Sequence, residues 1–119
     1  MEKMLEEPEY TFAVLPAGAS SSQYPESEDD GVYVPESIAE CIFGVAKAYR
    51  LQFSAHMPEN VSLRWEYNQS EIQWVIEEFN FLNELLNDEV LNSYIIQLIY
   101  LCKKVLRSQN RLALIVEGP

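Results

Sequence analysis

Positive charge is scarce in this chain. Eight Lys and Arg stand against 19 Asp and Glu over 119 residues, a formal net charge of −11. Between Arg64 and Lys103 there is no basic residue at all. Binding to nucleic acid or to an anionic membrane requires Lys and Arg to neutralise phosphate, so neither is expected as a direct partner. Histidine is nearly absent. His56 stands alone, with neither cysteine near it in sequence, which argues against a zinc site. The four glycines are scattered and form no phosphate-cradling loop, and there is no nucleophile elbow, paired-cysteine motif or zincin pair. Catalysis, a metal and a cofactor are therefore not expected.

Long apolar runs are missing too. The longest, residues 94–102, contains Gln97 and is far too short to span a bilayer. The acidic start lacks the basic and apolar regions of a secretory signal. These features predict a cytosolic or nuclear protein, with cytoplasmic the working assignment. The two cysteines, Cys41 and Cys102, fall on apolar faces of predicted helices and read as buried free thiols in a reducing compartment.

What remains is rich in apolar residues, 48% of the chain, enough for a core without staples. Residues 70–108 dominate, with dense apolar residues at helical spacing and no Gly or Pro. At about 100° per residue, Ile72, Val75, Ile76, Phe79, Leu82 and Leu86 share one side. Leu91, Tyr94, Ile95, Leu98, Leu101, Cys102 and Val105 share another. The two stripes are offset, which predicts a helical hairpin broken at Asn87 and Asp88. Helices are expected over 70–87 and 89–108, the first opened by a capping box from Ser70 to Gln73. Ile96, Ile99 and Tyr100 lie outside the main stripe of the second. That helix is apolar around most of its circumference and needs cover from the rest of the chain or from a second copy.

Upstream, Ser37 and Glu40 have capping-box spacing and open a helix over 37–53. Gly44 inside it suggests a close helix–helix approach. Tyr10, Phe12 and Val14 alternate in a strand over 9–15. Val61, Leu63, Trp65 and Tyr67 do the same over 61–67, and residues 112–116 form an apolar run of strand length. That last run is expected to pair with 9–15, with 61–67 or with a partner's sheet edge. Residues 17–31 read as an acidic, mobile linker in which Ser27 precedes three acids and has the setting of a site for an acid-directed kinase. The expected fold is mainly α, a three-helix core with two or three short strands, with a small α+β fold as the alternative. Residues 1–35 form an N-terminal arm and 36–119 a helical domain.

The face predicted to carry function is acidic and aromatic. Glu71, Glu77, Glu78, Glu84, Asp88 and Glu89 lack interspersed bases and forgo the i,i+4 ion pairs that usually support an exposed helix. Trp74 and Phe81 are candidate anchors among them. This pattern predicts a non-enzymatic protein that binds a basic protein partner, as an inhibitor, immunity protein, adaptor, chaperone or mimic of nucleic-acid charge. The alternatives are a self-assembling subunit or homodimer, and a small ligand-binding domain or enzyme.

Overall fold

Two strands far apart in sequence meet in the middle of one sheet. The computed structural model describes residues 7–18, 30–60 and 65–119. Strand β1 (Glu9–Pro16) is followed by β2 (Gly31–Pro35), helix α1 (Glu36–Ala48), a 3-10 segment (Ser54–Asn60), β3 (Trp65–Tyr67), α2 (Gln69–Leu85), α3 (Glu89–Leu106) and β4 (Leu112–Glu117). The strands form a four-stranded antiparallel sheet in the order β2-β1-β4-β3. The protein is thus a small α+β fold, not the mainly α fold that the helical pattern favoured.

Composition explains the strand order. Residues 12–15 of β1 and 113–116 of β4 are buried on both faces, as central strands must be. They pair with each other from Thr11–Glu117 to Pro16–Leu112. The edge strand β2 alternates: Val32 and Val34 are buried while Tyr33 is exposed. Residues 31–35 were not among the expected strands. The expected strand over 61–67 is seen as Trp65–Tyr67, and 61–64 lie outside the described residues. β4 pairs with both of its expected partners within the chain. Residues 9–16 and 31–35 belong to this sheet, so the boundary expected after residue 35 does not separate an arm from the rest.

Tyr10, Phe12, Val14, Val34, Leu114 and Val116 share one sheet face and pack with residues of all three helices in a single core. The opposite face carries a small cluster of Ala13, Leu15, Ala113 and Ile115. The hairpin breaks where expected, between Leu85 and Glu89. Asp88 caps α3 by accepting from the Leu91 N–H at 3.0 Å. Asn92 clasps the turn, its Nδ2 donating to the Asn83 carbonyl at 2.9 Å and to Asn83 Oδ1 at 2.7 Å. At the other end, the Gln69 side chain donates to the Leu106 carbonyl and accepts from the Asn110 N–H, tying the start of α2 to the end of α3.

Helix ends differ from the expected ones for local reasons. The cap of α2 is Asn68, not Ser70. Its side chain accepts from the Ser70 and Glu71 N–H groups, and Glu71 accepts in return from the Asn68 N–H at 3.1 Å. In α1, Ser37 does not act as the cap. Its N–H and hydroxyl both donate to Glu7, at 2.8 and 3.1 Å. That helix stops at Ala48 rather than 53. Leu51 N–H reaches the Ala46 carbonyl and Arg50 N–H the Lys47 carbonyl, both at 3.0 Å, with Arg50 in the left-handed region at φ 58°. These two bonds are those of a Schellman cap. Gly44 does not mark a close approach, because a Cβ there would meet nothing within 4 Å. Cys102 is buried as expected, and burial pushes its thiol well up, but Cys41 is exposed.

Candidate functional site

The outer face of α2 follows from its register. Ile72, Val75, Ile76, Phe79 and Leu82 turn into the core, which leaves the opposite arc to solvent. Trp74 is 51% exposed on that arc, with Phe81 and Leu85 further along it. Glu77 and Glu84 lie beside them, both exposed. Tyr49, just past the end of α1, packs edge-on against Phe81 with ring centroids 5.4 Å apart. Trp74, Phe81 and Leu85 lie along one exposed arc of α2, with Glu77 and Glu84 as a carboxylate flank. Helix α2 contains no Lys or Arg to neutralise that flank.

Of the eight residues predicted from the sequence, four come together there: Trp74, Glu77, Phe81 and Glu84. Three others are engaged with the chain's own backbone. Glu71 completes the cap of α2, and Asp88 caps α3. Glu78 turns away from the outer face. Its carboxylate accepts from the Ser54 N–H at 2.8 Å, the Ser54 hydroxyl at 2.7 Å and the Phe53 N–H at 3.0 Å. These amides open the 3-10 segment and have no partner within it, so a carboxylate there acts as its cap. Glu78 therefore serves the fold rather than an outward face. The eighth residue, Glu89, belongs to a different surface on α3.

Tyr49 and Leu85 were missed. The first helix was expected to run to residue 53, past Tyr49. The early end of α1 at Ala48 leaves it exposed instead. Ser27 lies outside the described residues.

Two open grooves flank α3. One, of about 490 Å³, is lined by Tyr33, Glu89, Val90, Ser93, Tyr94 and Gln97. The other, of about 410 Å³, lies at the opposite end between Lys104, Arg107, Ser108, Arg111 and Leu112. Lys104 is bound to Asp30 at 2.7 Å, and this carboxylate raises the ammonium's pKa above its ordinary value. Among the described residues, no group of three His, Cys, Asp or Glu is placed to hold a metal ion. Nor is any helix among them long and apolar enough to cross a membrane. No protein-family model, curated protein or solved structure matches the chain.

Proposed function

We propose that this protein is a non-catalytic binding module whose α2 face takes a basic protein partner, in the manner of an inhibitor, immunity protein, adaptor or chaperone. The observation that carries this reading is Trp74, half exposed on a helix whose outer arc holds carboxylates and no base. Exposed Trp is disfavoured in solution and enriched where interfaces concentrate their energy. Carboxylates around it exclude acidic partners and speed the approach of basic ones. The partner's matching surface is an apolar pocket rimmed by Lys or Arg.

Affinity capture from the source organism, read by mass spectrometry, tests this. The native chain is compared with Trp74→Ala and with Glu77→Lys/Glu84→Lys. Glu78 is left intact because its replacement would disturb the 3-10 segment. A basic protein captured by the native chain and lost with both variants supports the reading. An unchanged set of partners removes it. The nucleic-acid-mimic form of the proposal adds a salt test: binding that does not weaken as salt rises excludes it.

A further inference from the structure

Helix α3 presents a second surface, separate from the α2 face. Ile95, Leu98, Ile99, Leu101, Cys102 and Val105 fill the core side. Yet Ile96 is 56% exposed and Tyr100 50%, so the chain leaves uncovered part of a helix that is apolar almost all round. The exposed positions are ordered. Glu89, Ser93, Ile96, Tyr100, Lys103 and Arg107 recur at alternating steps of four and three residues, the spacing of a coiled-coil seam. The acid stands at the N-terminal end of the seam, the bases at its C-terminal end and the apolar pair in the middle.

We propose that this seam binds a second copy of the chain, with the two α3 helices antiparallel about a two-fold axis at the level of Leu98. The register follows from the sequence positions. With the axis there, Glu89 of one protomer lies level with Arg107 of its partner, and Val90 with Leu106. Ser93 lies level with Lys103, and Ile96 with Tyr100. Each layer occurs twice, as two-fold symmetry requires. Glu89 and Arg107 are about 27 Å apart along the axis, so they cannot satisfy each other within one chain. Antiparallel pairing brings opposite charges together at both ends of the seam, whereas parallel pairing in register stacks like charges. It also lays the groove beside Glu89 over the groove beside Arg107. Beside the seam, the Lys104 ammonium lies over the Tyr100 ring, 4.9 Å from its centroid.

A single pair of helices buries less than the about 1,200 Å² of a standard interface, so the expected dimer is micromolar. Sedimentation velocity on the full chain, from about 1 to 500 µM, measures it. Ile96→Glu sits at both symmetric contacts and should weaken the dimer about 100-fold. Because Ile96 is exposed, this variant should keep its far-UV circular dichroism. Glu89→Arg and Arg107→Glu should each dimerise poorly alone, since each sets like charges together at both ends. Mixed, they should form a heterodimer of near-native affinity, because every end is again an acid–base pair. Trp74→Ala, on the other helix, should leave the dimer unchanged and so separates this surface from the partner-binding one. A native chain that stays monomeric throughout the range overturns the proposal. So does a dimer indifferent to Ile96→Glu, or a mixture of the two charge variants that fails to associate.

Discussion

Glu78 allows the clearest test of how the fold uses its carboxylates. It is half-buried and receives hydrogen bonds from the Phe53 N–H, the Ser54 N–H and the Ser54 hydroxyl. Ser54 is fully buried, so its donors have no water to turn to once the carboxylate is gone. A hydrogen bond to a charged group is worth about 1.5–3 kcal/mol, and leaving a buried donor unmet costs about 1–3 kcal/mol. Partial exposure of Glu78 reduces what its loss does, and the effects of neighbouring bonds do not add. Glu78→Ala is therefore expected to destabilise the protein by about 2–3 kcal/mol, or roughly 10 °C in Tm for a chain of this size. Glu78→Gln keeps one acceptor oxygen and should lose about 1 kcal/mol. Glu77→Ala, one residue away but on the solvent side, should stay within about 0.5 kcal/mol of the native chain. Urea unfolding followed by circular dichroism measures all three. Hydrogen exchange adds a local reading, since the Phe53 and Ser54 amides should lose protection in Glu78→Ala first. If Glu78→Ala proves no more harmful than Glu77→Ala, the capping role is wrong and Glu78 returns to the outward set.

Three further outcomes concern α1 and its ends. Gly44→Ala should stabilise the protein by about 1 kcal/mol in urea unfolding, because Gly inside α1 weakens the helix and the added methyl meets open space. Arg50→Gly should stabilise by about 0.5–1 kcal/mol, since Arg50 sits in the left-handed region that Gly enters freely, and a loss in thermal melts would show that its side chain matters more than its backbone. The Glu7 carboxylate is held below its ordinary 4.5 by hydrogen bonds from the Ser37 N–H and hydroxyl. A lowered folded value means the contribution is present above 4.5 and fades as the pH falls through that folded value, so Glu7→Gln should be less stable than native at neutral pH and converge with it in acid. Melting curves of both chains that run parallel down to acid pH would contradict this.

Much of the fold was legible because it is local. The offset between the stripe of Ile72 to Leu86 and that of Leu91 to Val105 located the hairpin turn, alternation located β1, and an unbroken apolar run located β4. Periodicity reports which side of an element is apolar, and that is a property of neighbours in the chain. Trp74, Glu77, Phe81 and Glu84 share one exposed arc for the same reason, since one helix carries them all. The failures share a different cause. Glu78 and Glu77 are adjacent carboxylates on one helix and look alike in sequence. What distinguishes them is the pair of amides that the 3-10 segment delivers to one and not the other. Tyr49 is exposed beside Phe81 because Arg50 took up a left-handed cap and ended α1 early, which no periodicity announces.

The sequence by itself determined the helices, the two central strands, the acidic arc of α2 and the apolar excess of α3, because each depends on side chains spaced a few residues apart. Only the tertiary structure decided that β1 and β4, far apart in the chain, lie side by side, and which carboxylates of α2 face solvent rather than the chain's own amides. Those outcomes depend on hydrogen bonds between residues far apart in sequence, and a donor brought by the fold is invisible until the chain has closed around it.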